Sequence, residues 1–286
     1  IGTINLIIGF MQSFFLILHF KPNTVISFGS YASFFPMMIC VLLKSYLKIE
    51  IFLHEQNTII GRTNSFFLKY TNKIFLNFNI KSKIKKNFIN KTYIVGSPEK
   101  KFIKSNDKTK KDLKKKFTIF IFGGSQGSEY LTIFSLKLIK LIIREKIIDA
   151  NFIIQYPKKI DSKSYEDLKK LPGNVIIRHY FKDIEKILEN TSIAISRAGA
   201  GSINNLINFE IPSILVPLPS SKDNHQFYNA SIISESQTGI IIDQSKNEIK
   251  KAKDYIYKIY KNYDVTKLIK KKFNKIKVKN SNSLIY

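Results

Sequence analysis

The sequence predicts two doubly wound α/β domains, each built on a parallel sheet, and three observations carry that expectation. Short apolar runs alternate with longer segments of helical period along almost the whole chain. Glycine-rich turns follow some of those runs directly, as in "FTIFIFGGSQGSEYL". A Lys-rich stretch with no sustained apolar period separates one such series from the next, and 286 residues with 44% hydrophobic content suffice for two cores.

The elements follow in order. Residues 6–20 have helical period, and the first twenty residues carry no charge apart from His19. Asn5, Gln12, Ser13 and His19 interrupt them and no basic run precedes them, which favours a buried or surface helix over a membrane span. Residues 25–28 read as a strand, 33–47 as a helix, and 49–53, 74–77 and 93–95 as further strands. "KSKIKK" and the Lys-rich run after it read as solvated loops. The second series has strands at 118–122, 152–155, 175–179, 193–196, 214–216 and 239–242. Its helices are expected at 128–144, 163–170, 184–189, 202–209, 226–236, 247–260 and 265–275. The domains are therefore 1–98, a linker at 99–116, 117–262, and a terminal helix and tail at 263–286. The first domain reads as beginning part-way through, and a chain starting at Ile1 fits an absent upstream segment.

The formal net charge is +26, yet only four of the 47 basic residues are arginines: Arg62, Arg144, Arg178 and Arg197. A Lys, Ile, Asn and Phe-rich composition fits biased codon usage, so charge alone does not argue for nucleic acid; an anionic membrane leaflet is as good a partner. The single cysteine, Cys40, excludes a disulfide framework and any multi-cysteine metal site. No D-x-D, H-x-x-x-H or Cys/His cluster occurs, so no metal and no cofactor is expected.

In open parallel sheets ligands sit beyond the carboxyl ends of the strands. Three places qualify. In "GGSQG", Gly123, Gly124 and Gly127 allow close backbone approach, and Ser125 and Gln126 sit beside the amides that open a helix, either to hold a phosphate or as a tight turn alone. In "SRAGAGSINNL", Gly199, Ala200 and Gly201 precede Ser202, the expected helix N-cap, and make a second amide-lined helix terminus, with Arg197 there for charge in the cleft or for a structural salt bridge. "VPLPSSKDNHQFYNA" leads into the next helix with polar side chains at its mouth, which either read sugar hydroxyls or cap the helix. In "FLHEQNTIIGRTN" a strand ends in His54, Glu55, Gln56 and Asn57, a pair for acid–base work or a hydrogen-bonded loop. No G-x-S-x-G elbow supports a nucleophilic serine.

Together "FGSYASF", "LHEQNTIIGRTN", "VGSPEK", "FGGSQGS", "SRAGAGS" and "VPLPSSKDNHQFYNA" resemble the MurG-type UDP-GlcNAc transferases of peptidoglycan synthesis, in that family's order and over roughly residues 21–242. The resemblance implies a GT-B fold, two Rossmann-like domains facing a cleft, the first truncated at its N-terminus. It implies inverting, metal-independent transfer of GlcNAc from UDP-GlcNAc to lipid I at the cytoplasmic face of the inner membrane. Carried over by position, Gly124, Ser125 and Gln126 touch the diphosphate; Ala200, Gly201, Ser202 and Asn204 touch phosphate and sugar; Asn57 and Gln226 read GlcNAc hydroxyls. Phe181 and Lys182 fall at the uracil, and Gly29, Ser30 and Tyr31 at the acceptor and membrane. The apolar residues Phe34, Phe35, Met37 and Met38 either dock on an anionic leaflet or belong to the core.

Departures accompany the matches. The family's ribose-binding acid is Asn205 here, its arginine after "GNP" is Lys100, and its N-terminal glycine-rich loop with a histidine has no counterpart. Among residues present, Glu55 or His54 is the expected general base. The resemblance leaves as alternatives a homologue that binds UDP-sugar without turnover, or a transferase for another lipid-linked acceptor.

Overall fold

A computed structural model describes residues 2–98, 116–124, 127–172 and 174–278. Its described residues divide into two compact units, 2–98 together with Val278, and 116–277. The expected linker at 99–116 lies, apart from Lys116, outside the described residues.

The first unit holds a four-stranded parallel sheet, β1 (Thr24–Ser27), β2 (Glu50–Glu55), β3 (Lys73–Leu76) and β4 (Thr92–Ile94), in sequential order. The register pairs Ser27 with Leu53, Leu53 with Ile74 and Ile74 with Thr92. Ile51, Leu53, Ile74 and Leu76 form its buried centre. Its helices are α1 (Gly2–Phe20), α2 (Phe34–Leu42), α3 (Lys44–Leu47) and α4 (Arg62–Phe67).

Three local expectations change here. The helix expected at 33–47 breaks at Leu43, whose φ of −91° and ψ of 3° lie outside the helical well; an apolar period continues through such a one-residue break, so it does not register in sequence. α4 is absent from the expected helices because six residues are too few to display a period. "KSKIKK" is not wholly solvated: Ile84 is buried and Lys83 Nζ donates to the Thr58 carbonyl. Of the candidate membrane-facing residues, Met37 is core, while the Phe34 and Phe35 rings pack edge-on and tilted against Phe10, Phe66 and Phe67. The exposed apolar surface lies instead on α1, where Ile7, Phe15 and Phe20 are 64%, 61% and 72% exposed. No helix among the described residues is long and apolar enough to cross a membrane.

The second unit holds six parallel strands: β5 (Phe117–Phe122), β6 (Ala150–Gln155), β7 (Val175–Arg178), β8 (Ile193–Ser196), β9 (Ser213–Leu215) and β10 (Gly239–Ile241). Their order is β10-β9-β8-β5-β6-β7. The chain builds outward from β5 through β6 to β7, then returns to the other side of β5 to lay down β8, β9 and β10. β5 and β8 are thus neighbours whose following connections diverge to opposite sides, the arrangement that opens a crevice at their carboxyl ends. Helices α5 (Glu129–Arg144), α6 (Ser162–Lys169), α7 (Ile184–Leu188), α8 (Ala200–Phe209), α9 (His225–Glu235), α10 (Ile249–Lys261) and α11 (Tyr263–Phe273) complete it. α5 shows why such helices form: Leu131, Phe134, Leu138 and Ile142 recur at helical spacing and all are buried. Each such side chain contributes about 1.5–3 kcal/mol by leaving water.

Candidate functional site

At the β5/β8 divergence lies a pocket of about 950 Å³, formed wholly by the second unit. Its floor is glycine. Gly123 and Gly127 have internal reasons to be glycine: a Cβ on Gly123 would meet the Ser128 nitrogen at 2.5 Å, and one on Gly127, at φ +72°, would meet Pro157 Cα at 2.6 Å. Gly124 needs its φ of +81°, but no atom lies within 4 Å of the position a Cβ would take. Gly199 and Gly201 show neither reason: their φ is ordinary and, beyond their chain neighbours and own helical turn, no atom of the described residues lies within 4 Å of an added Cβ. Among the described residues, packing therefore does not account for their missing side chains.

The two helix ends at the pocket differ. Ser128 caps α5, its Oγ accepting from Leu131 N at 3.3 Å, and Glu129 places an acid in the first turn. α8 has Gly199 as its N-cap, with no side-chain cap and no acid in its first turn. Its orphan amides and positive dipole end are thus left for an anion. Helical geometry selects which α8 side chains share that surface. Gly201, Ser202 and Asn205 line the pocket, while Asn204 turns into the core and Ala200 is not part of the wall. The two expected contacts divide: Ala200 is the first residue of α8, among its orphan amides, whereas a 100° step per residue turns the Asn204 side chain inward, 8% exposed.

Gln226 is oriented by its own carbonyl: Oε1 accepts from Ala198 N at 3.3 Å and Leu218 N at 3.0 Å, which leaves the amide nitrogen for the pocket. Lys182, with Tyr180, Phe181 and Gln155, forms the wall beyond β6 and β7. Arg197 closes the other side, its Nη1 donating to Gln244 Oε1 at 2.7 Å. Ser125, Gln126 and Lys100 lie outside the described residues. The structure thus gathers Gly124, Lys182, Arg197, Gly201, Ser202, Asn205 and Gln226. Sequence reasoning missed Gln155, which ends β6, and Tyr180, Leu218 and Gln244, which follow β7, β9 and β10; none carries a glycine signal.

The first unit holds the remaining candidates. Glu55 is 4% exposed and its carboxylate is occupied. Oε1 accepts from Asn57 N at 3.0 Å and Asn57 Nδ2 at 3.4 Å, and Oε2 from Gly61 N and Asn64 Nδ2, both at 2.9 Å. His54 is fully buried, with Nε2 2.8 Å from the Gly96 carbonyl. That contact requires a proton on Nε2 and leaves Nδ1 bare and without a partner among the described residues. Burial holds the His54 pKa below the ordinary imidazole value, against the Gly96 bond and the Glu55 charge, which raise it. For the expected general base the geometry shows this much: both side chains are buried and offer no accessible acceptor, and Glu55 clasps the loop that carries Asn57. Gly29, at φ +76°, lies so close to the Asn64 amide that a Cβ would meet Nδ2 at 2.6 Å. Ser30 caps the turn Tyr31–Ser33, and Tyr31 is exposed. Among the described residues no three His, Cys, Asp or Glu side chains gather as metal ligands.

Similarity follows the same division. Residues 118–284 match the glycosyltransferase family 28 C-terminal domain and residues 2–76 the family 28 N-terminal domain. The UDP-N-acetylglucosamine-N-acetylmuramyl-(pentapeptide) pyrophosphoryl-undecaprenol N-acetylglucosamine transferase of Rickettsia canadensis is 30% identical, over 90% of this chain and 72% of its own length. The fold is similar to that of MurG from Acinetobacter baumannii, with TM-score 0.74 and 19% identity over 96% of this chain and 77% of that one. It also resembles MnaA of S. aureus, solved with UDP, at TM-score 0.67 and 15% identity over 97% of this chain and 78% of that one. These likenesses give the two sheets a GT-B fold. A pocket at the switch point of the second sheet, in a chain matched on both sides of its division, leaves one conclusion: this chain belongs to glycosyltransferase family 28.

Proposed function

We infer that this chain transfers GlcNAc from UDP-GlcNAc to undecaprenyl-pyrophosphoryl-MurNAc-pentapeptide, turning lipid I into lipid II. The identity of donor and acceptor follows the R. canadensis relative. The observation that carries the reading is the pocket floor, where Gly124, Gly199 and Gly201 leave open space beside the uncapped end of α8. A diphosphate suits such a floor, because amides and a helix dipole stabilise its charge. Asn205 and the Gln226 amide suit sugar hydroxyls, and Phe181 with Lys182 a pyrimidine at the rim. Asn57, Ser125, Gln126 and Lys100 complete the proposed donor contacts by position.

In the reaction the muramoyl 4-hydroxyl oxygen attacks the anomeric carbon, the carbon–oxygen bond to UDP breaks, and configuration inverts. The hydroxyl proton goes to a base, and the pocket floor takes the charge that develops on the departing diphosphate. The acceptor reaches the enzyme at an anionic leaflet, for which the exposed apolar side chains of α1 and the excess of lysines are suited. Gly29, Ser30 and Tyr31 are placed by position toward that acceptor.

Incubation with UDP-GlcNAc and a lipid I analogue tests the reading by mass spectrometry of the lipid product. Disaccharide formation with stoichiometric UDP is the expected result. Failure to bind UDP overturns the donor assignment, and preference for a polyprenyl acceptor without the muramoyl unit overturns the acceptor. Co-sedimentation with anionic rather than neutral vesicles at low salt is expected, and its absence removes the leaflet from the scheme.

A further inference from the structure

The sequence leaves Arg197 either as a cleft cation or as half of a salt bridge. In the structure it is 7% exposed, and every acceptor it uses is neutral. Nε donates to Ser128 Oγ at 3.1 Å, and Nη1 donates to the Val216 carbonyl at 3.0 Å, the Pro217 carbonyl at 3.4 Å and Gln244 Oε1 at 2.7 Å. The guanidinium carbon stands 5.5 Å from the Tyr130 ring centroid. Among the described residues no carboxylate lies within ion-pair distance. Glu129 lines the same pocket but does not pair with it. Asp243 holds Ser245, and Glu248 holds the Asp243 amide and Lys251.

A buried guanidinium without a counter-charge is costly, because neutral acceptors replace only part of its lost hydration. Such a cation fits a site whose anion arrives with the ligand. Two of its three nitrogens are committed to protein acceptors, and Nη2 makes no hydrogen bond among the described residues. Arg197 is itself part of the pocket wall.

We propose that Arg197 is the counter-charge for the donor's diphosphate, with Nη2 donating to a phosphate oxygen while Nε and Nη1 pin three connections around it. Those connections are the start of α5 through Ser128, the end of β9 through Val216 and Pro217, and the segment after β10 through Gln244. The residue thus ties the residue that follows the glycine turn to the connections after β9 and β10, around the same anion. The proposal rests on the donor reading above and adds a specific source of phosphate selectivity to it.

Calorimetric titration of the whole chain with UDP, UMP and uridine separates the possibilities, using wild type, Arg197→Gln and Arg197→Lys. One charge-assisted hydrogen bond is worth about 1.5–3 kcal/mol, so Arg197→Gln is expected to weaken UDP on the order of 10- to 100-fold and leave uridine nearly unchanged. Arg197→Lys keeps the charge but cannot hold all the acceptors, and is expected to fall between the two. Equal losses for UDP and uridine, or wild-type UDP affinity in Arg197→Gln, overturn the proposal. If Arg197→Gln does not fold, Arg197→Lys must still lose UDP affinity more than uridine affinity, or the proposal fails. Wild-type protein that binds neither UDP nor uridine refutes the donor reading itself, a result distinct from a lost preference in the variants.

Discussion

Replacing Gly201 by Ala separates pocket function from pocket folding more cleanly than removal of any polar residue. Gly201 lies in the first turn of α8, its φ is ordinary, and apart from its neighbours and own helical turn no atom of the described residues lies within 4 Å of the added methyl. Alanine there restricts the unfolded chain and suits a helix, so stability should rise by roughly 0.5–1 kcal/mol. For a unit of this size that is about 1–4 °C in the melting temperature. The same methyl occupies space that the proposed diphosphate needs beside the α8 amides, so UDP-GlcNAc affinity should fall at least about tenfold, or about 1.4 kcal/mol. Gly127→Ala is the opposite case, because φ is +72° and the methyl would meet Pro157 at 2.6 Å. Left-handed strain of about 1–2 kcal/mol and overpacking of about 1–3 kcal/mol should together destabilise the unit by about 2–5 kcal/mol. Differential scanning calorimetry with and without UDP-GlcNAc reads both quantities. A Gly201→Ala protein that melts earlier than wild type, or that binds donor with wild-type affinity, refutes the claim that this glycine serves the ligand.

Three further outcomes follow from the first unit. Glu55→Ala should lower stability by about 2–4 kcal/mol, because it strands the Asn57 and Gly61 amides and the Asn64 side chain; urea unfolding followed by fluorescence measures it, and a change below about 0.5 kcal/mol contradicts the clasp. His54 has a folded pKa below its unfolded value, so the unfolded chain takes up the proton first: stability is unaffected above about pH 6.5 and declines as pH falls toward the folded pKa. His54→Asn should therefore flatten the acid side of a stability-versus-pH curve between about pH 7.5 and about 5. Burial pushes the Cys40 thiol up to about 11, so alkylation at about pH 8 should be slow in the native chain and rapid in urea.

The strands were the most legible part of the sequence because parallel strands buried on both faces leave continuous apolar runs, as in "FTIFIF" for β5 and "IAIS" for β8. The glycine turns were legible as places. Their roles were not, since "GGSQG" and "AGAG" look alike in sequence. Only the distances around each missing Cβ separate Gly123 and Gly127, glycine because the backbone crowds them, from Gly199 and Gly201, glycine with nothing near. Gln155, Tyr180, Leu218 and Gln244 had no signal, because a side chain at or just past a strand's end can face any way until its neighbours are placed.

"HEQN" left two readings open in the sequence, acid–base work or a hydrogen-bonded loop. Four polar residues at a strand's end suggested proton transfer, and the hydrogen bonds argue for another use of the same chemistry. A carboxylate can accept from several donors, and Glu55 accepts from two backbone amides and two side-chain amides across a six-residue loop. The cost of taking its charge out of water is offset by those donors, and the geometry they fix is that of the loop bearing Asn57. Arg197 is the contrasting case in the second unit. Its neutral acceptors fix three connections but leave its charge uncompensated. A buried charge fully surrounded by donors or acceptors holds a fold together, whereas a buried charge short of a counter-ion marks where a ligand's charge belongs. That difference is the ground for reading Glu55 as architecture and for proposing Arg197 as the donor's counter-charge.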